Sequence, residues 1–137
     1  MNRTTNSEPL LESLRRELAA DPQIRLAYLF GSSARDAAAA DSDLDIAVSA
    51  GQPLSRDQRI ALIDRLAALV GRPIDLVDLA RAGLPILGQV LIHGRRILGG
   101  DDDHARLLVR YLFDAADFLP YRNRILEERR AAWIGRS

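Results

Sequence analysis

The sequence contains no cysteine. That removes disulfides, thiol nucleophiles and cysteine-ligated zinc together, and it allows a reducing compartment without demanding one. Lysine is missing as well, so all 19 basic residues are arginine. Schiff-base chemistry and the lysine of a Walker-type phosphate loop are thereby excluded. Charge of one sign is not in excess either, because 19 acidic residues bring the formal net charge to +0. No surplus field draws the chain to a polynucleotide backbone, and direct nucleic-acid binding is not expected. No apolar run approaches the ~18 residues of a membrane span. The opening "MNRTTNSEPLLESLRREL" lacks the charged, apolar and small-residue order of a secretory signal. A cytoplasmic protein with no membrane contact is expected. What is present is a chain of 137 residues, 47% hydrophobic and 28% charged, enough for one compact domain over residues 1–137 with a buried core.

Hydrophobic spacing divides the chain into alternating helices and strands. Leu10, Leu11, Leu14 and Leu18 recur at helical intervals, with Ser7 placed to cap and Pro9 in the first turn, which predicts a helix over 8–20. "IRLAYLF" (24–30) and "DLDIAV" (43–48) read as short strands, the first apolar enough to be covered on both faces. "SRDQ" (55–58) is a capping box opening a helix whose stripe is Ile60, Ile63, Leu66, Ala67 and Val70, ended by Gly71 and Pro73. "PIDLVDL" (73–79) is a third strand, so strand, helix and strand form a crossover unit and the sheet is mixed. A helix over 84–94, started by Pro85 and stopped by Gly94, leads to a fourth strand, "RRIL" (95–98). From Asp101 the chain reads as helix, its core stripe made by Leu107, Leu108, Tyr111, Leu112, Ala115, Phe118 and Leu119, with Pro120 expected to kink or split it. The fold class is α/β (α+β): a short mixed sheet flanked by helices, with a core of about 24–98 and a C-terminal helical segment of about 101–134.

Chemistry is concentrated in "LFGSSARDAAAADSDLDIAV" (29–48). In a strand, residues i and i+2 share a face, so Asp43 and Asp45 point one way while Leu44 and Ile46 point into the core. Their Cβ atoms lie ~6.6 Å apart, within reach of metal ions ~3.5 to 4 Å from one another. Two such carboxylates form either a solvated strand face or a site for magnesium or manganese, the hard cations that oxygen ligands favour. Asp75 lies between Ile74 and Leu76, a carboxylate inside an otherwise apolar run, and a neighbouring strand would bring it beside the first two. Gly31-Ser32-Ser33 permits a tight turn whose amides and hydroxyl could face phosphate oxygens, although Gly-Ser pairs are common in ordinary turns.

Gly31-Ser32, ten residues, Asp43-Leu44-Asp45 and then Asp75 on a following strand is a spacing that resembles the polymerase-β-like nucleotidyltransferase superfamily, and in particular its minimal nucleotidyltransferase domains. The later "LPILGQVLIHGRRIL" and C-terminal helix are similar to the same layout. The resemblance implies the polymerase-β-like fold and the activity of antitoxins paired with HEPN-domain toxins, which transfer AMP from ATP to a tyrosine of the toxin and silence its RNase activity. It implies that Gly31 and Ser32 hold the β and γ phosphates, that Asp43 and Asp45 ligate two Mg2+ ions, and that Asp75 joins the metal site and helps activate the acceptor hydroxyl. It further implies that Arg35 meets triphosphate charge or the partner, and that the chain works in a hetero-oligomer with its toxin. Here Asp36 follows Arg35 where the family usually has glycine, while Asp41 and Ser42 read as turn formers. Two other readings stay open: nucleotidyl transfer to a small molecule with a separate subunit supplying the pocket, and a binder that neutralises its partner by docking alone. His93 and His104 read as helix-end residues without chemistry, and Asp101-Asp102-Asp103 as charge suited to a helix N-terminus. "RNRILEERR" (122–130) is either a solvated or a partner-docking face, and Trp133 is the aromatic most suited to partner contact.

Overall fold

The computed structural model describes the backbone of residues 3–35 and 43–134, and the side chains of residues 8–35, 43–117 and 124–131. Asp36, Asp41 and Ser42 therefore lie outside the described residues, as do the side chains of Ser7 and Trp133. The elements run α1 (Arg3–Ala19), β1 (Leu26–Leu29), α2 (Ser32–Arg35), β2 (Leu44–Ser49), α3 (Arg56–Val70), β3 (Ile74–Asp78), α4 (Leu84–His93), β4 (Arg95–Leu98) and α5 (Asp101–Ile134). The sheet has the order β3-β2-β1-β4. β2 and β3 are parallel across the α3 crossover, and the other two pairs are antiparallel. This is the mixed sheet that the strand-helix-strand pattern predicts.

Two apolar layers cover the sheet because its strands are apolar on both faces. On one face Ala27, Leu29, Leu44, Ile46 and Val48 pack against Leu14 and Leu18 of α1 and Leu62 and Leu66 of α3. On the other, Tyr28 and Ala47 pack beneath Leu87, Val90 and Leu91 of α4, with Leu107, Leu108 and Tyr111 of α5 against them. Asp45 shares the second face with Ala47 by strand alternation, at the end of β2 where the helical cover stops.

Several expectations need correction. α1 begins at Arg3, so Ser7 lies inside the helix instead of capping it, and Pro9 is internal. Proline there forgoes the bond that its N–H would return one turn back and its ring crowds that carbonyl, yet the helix runs through it. The stripe of α3 holds at Ile63, Leu66, Ala67 and Val70, but Ile60 is 45% exposed and Leu62 is buried in its stead. β2 starts at Leu44, which leaves Asp43 immediately before it. α5 is one helix through position 120 and is not split. Of its stripe, Leu107, Leu108 and Tyr111 pack against the core and Leu112 is 55% exposed, while the side chains of Phe118 and Leu119 lie outside the described residues. The capping box at Ser55 and Gln58 and the Gly71 cap in left-handed conformation form as expected.

Candidate active site

The Gly31 turn has a steric cause. Its φ of +60° lies in the left-handed region, and a Cβ there would stand 3.0 Å from Asp45 Oδ2. Glycine thus lets the chain leave β1 directly over the start of β2. The turn continues as the short α2, with Ser32 exposed and Ser33 buried.

Ser33 fixes the local geometry. Its Oγ accepts a hydrogen bond from the Asp45 N–H at 2.9 Å and donates to the Asp43 carbonyl at 3.3 Å, with Asp45 Oδ2 3.5 Å away. This hydroxyl joins the turn after β1 to the beginning of β2. The sequence reading placed the serine chemistry on Ser32 and overlooked this role. Two consecutive serines signal a polar turn, but only the fold decides which one faces inward.

The parallel register pairs Asp45 with Asp75 directly. Asp45 is half-buried, while Asp43 and Asp75 are exposed. Burial raises the Asp45 carboxyl above its ordinary value of 3.8, and the Asp75 charge and hydrogen bond raise it further. Asp43 adds a smaller upward push, and the Ser33 hydroxyl opposes them by stabilising the carboxylate. Two like charges on adjacent strands thus share a site that penalises ionisation of one of them. A hard divalent cation relieves that penalty, so the donor chemistry of Asp45 and Asp75 fits one. Among the described residues, no three acidic or imidazole side chains converge as a ready ligand set. Asp43, exposed beside the pair, is the carboxylate available to complete it. Arg35 is exposed at the end of α2.

The histidines sit elsewhere. His93 ends α4 and is exposed. His104 is more than a helix-end residue, because its Nδ1 lies 2.7 Å from the Tyr28 hydroxyl. Burial pushes the Tyr28 phenol up to about 12, with Arg96 opposing and Asp103 reinforcing the shift.

The sequence profile of the Polymerase beta, Nucleotidyltransferase family matches residues 12–103. The chain belongs to that family. It is a nucleotidyltransferase, and the matched span includes Gly31, Ser32, Asp43, Asp45 and Asp75. The protein adenylyltransferase MntA of Shewanella oneidensis is 32% identical over 105 residues, covering 77% of this chain and 73% of that protein. A toxin-antitoxin crystal structure with AMP-PNP superposes with a TM-score of 0.75 at 28% identity, covering 86% of this chain and 96% of that one. A complex of the tri-AMPylated Shewanella oneidensis HEPN toxin with its MNT antitoxin gives a TM-score of 0.68 at 28% identity, covering 93% and 98%. The nucleotidyltransferase contains no helix among the described residues that is long and apolar enough to cross a membrane.

Proposed function

We propose that this nucleotidyltransferase is a single-domain, cytoplasmic antitoxin that transfers AMP from ATP to a hydroxyl, a tyrosine's, on a partner HEPN toxin with which it forms a hetero-oligomer. The observation that carries the reading is the Asp45–Asp75 pair held against the Gly31 turn, in a chain similar to a protein adenylyltransferase. The acceptor oxygen attacks the α-phosphorus of ATP, an O–P bond forms, and the bond between the α-phosphorus and the bridging oxygen to the β-phosphate breaks. The products are the AMP ester and pyrophosphate.

Each residue has a place in that exchange. Gly31 and Ser32 receive the β and γ phosphates through the turn's amides and an exposed hydroxyl. Arg35 meets triphosphate charge or the partner with its guanidinium. Asp43, Asp45 and Asp75 would hold two Mg2+ ions. Bound magnesium would supply charge neutralisation at the phosphates and a lowered pKa of the attacking hydroxyl. Asp75, exposed at the sheet's edge strand, is placed to accept the proton that the acceptor hydroxyl loses. Ser33 positions Asp45 by holding its backbone N–H.

The test is incubation with ATP labelled at the α-phosphate, Mg2+ and the toxin encoded beside the chain. Label on the toxin with wild type and none with Asp43→Ala supports the reading. Label on a small molecule, or toxin inhibition by an Asp43/Asp45 double variant without ATP, overturns it.

A further inference from the structure

The end of the sheet opposite the aspartates carries a second cluster of like charge. Arg25 precedes β1, and six residues at the ordinary strand rise place it about 20 Å from Gly31. Arg106 and Arg110 lie one turn apart in the first turns of α5, so they share a face of that helix. With Arg25 they line a cavity of about 180 Å³, whose wall also includes Ser49, Gly51 and Asp103. Asp103 is the single carboxylate of that wall, so positive charge dominates the cavity.

The neutralisation available there is weak. Arg106 approaches Asp103 only to 3.9 Å, and Arg110 approaches Asp114 only to 3.9 Å. Both guanidinium groups are well exposed, where ion pairs contribute little. Arg25 has no ion pair among the described residues. Arginines one turn apart repel each other on a helix. The aspartates at the other end of the sheet call for a cation, and by the same reasoning three converging arginines call for an anion. Guanidinium groups match phosphate oxygens in planar, forked geometry.

Arg25 and Gly51 also border a second cavity of about 450 Å³, lined by Gln23, Gln52 and Gln58 among others. The Gln58 carbonyl is engaged by the Ser55 N–H in the capping box, which leaves its amide N–H groups to donate. The two adjoining spaces together fall within the range that holds a small ligand, with charge at one end and neutral amides at the other. We propose that Arg25, Arg106 and Arg110 form a binding site for a nucleoside monophosphate, its phosphate among the arginines and its uncharged part against the glutamines, separate from the catalytic aspartates.

Calorimetry on the full chain tests this, in the Asp45→Asn background and with a metal chelator present, so that binding at the catalytic end is suppressed. The probes are inorganic phosphate, AMP and a short single-stranded RNA. AMP should bind more tightly than phosphate, and Arg25→Gln with Arg110→Gln should weaken AMP at least tenfold, while Arg25→Lys with Arg110→Lys retains most of the affinity. AMP binding unchanged by the glutamine variants, or absent at roughly millimolar concentration, overturns the proposal. Equal affinity for phosphate and AMP removes the nucleoside subsite and overturns it in that form, and RNA binding far tighter than AMP replaces it with a polynucleotide surface. AMP transfer to the toxin by the arginine variants, measured separately, keeps failure of this site distinct from failure of the catalytic reading.

Discussion

A single methyl group at position 31 separates the turn's conformational role from its chemical one. Gly31→Ala should cost about 1–2 kcal/mol, because φ is positive there, and should also push Asp45 Oδ2 from its place. Chemical denaturation should show the modest stability loss, and the transfer assay a much larger activity loss. Asp45 gives an opposite pairing of effects. Its carboxyl is raised in the folded state, so the stability it contributes is present below its ordinary value and is lost as pH rises through the raised one. Asp45→Asn should therefore abolish transfer yet leave the metal-free protein more stable at neutral pH, by about 0.2–1 kcal/mol as for other like charges facing across strands. It should also flatten the fall in stability just above the ordinary carboxylate range, which melting curves at a series of pH values would detect. The alternation of "DLDIAV" made the Asp45 side legible in the sequence, and Asp75 stood out as a charge in an apolar run. Asp78, three residues later, looks equivalent on paper. In the fold it is 4% exposed and accepts from Leu54 N–H at 2.8 Å and Ala80 N–H at 3.0 Å, a structural carboxylate on the opposite face. Nothing local separates the two, because the distinction depends on which loop packs beside each.

Element by element, the spacing rules found every strand and every long helix, and erred where an element's face is chosen by its neighbours. Ile60 has the right period to be buried, but α3 turns Leu62 inward beside the expected Leu66, into the core layer that also holds Leu44 and Ile46. Sheet edges were equally invisible in sequence. Both edge strands expose a carbonyl row that could pair with another chain, and each receives an arginine from a helix. Arg15 Nε of α1 donates to Ile97 O on β4 at 3.2 Å, and Arg59 Nη2 of α3 donates to Leu76 O on β3 at 2.8 Å. Arg59→Met keeps most of the side-chain stem and removes the donor. It should cost about 1 kcal/mol and accelerate amide exchange in β3 more than in β1. Uniform acceleration across the sheet would mean that Arg59 supports global stability instead of that edge.

At the scale of the whole molecule, a chain of zero net charge pairs Asp45 with Asp75 at one end of the sheet and places Arg25, Arg106 and Arg110 around a cavity at the other. A zero net charge, read as composition, argued only against a polynucleotide partner, and it averages over local clusters that the fold brings together. The carboxylate end carries repulsion that packing does not relieve, so ligand binding should register as stability of the entire domain. Anything that binds the folded state alone adds RT ln(1 + [L]/Kd), about 2.7 kcal/mol when free ligand stands about a hundredfold above Kd. Mg2+ with ATP should raise the melting temperature by several degrees, and more than the sum of either alone, if the proposed site shares the cation between the aspartates and the phosphates. Asp45→Asn should start from the higher metal-free melting temperature and gain little from the same addition. If ATP without a divalent cation stabilised wild type and variant equally, the nucleotide would be held without the aspartates, and the charge arrangement at that end of the sheet would need another explanation.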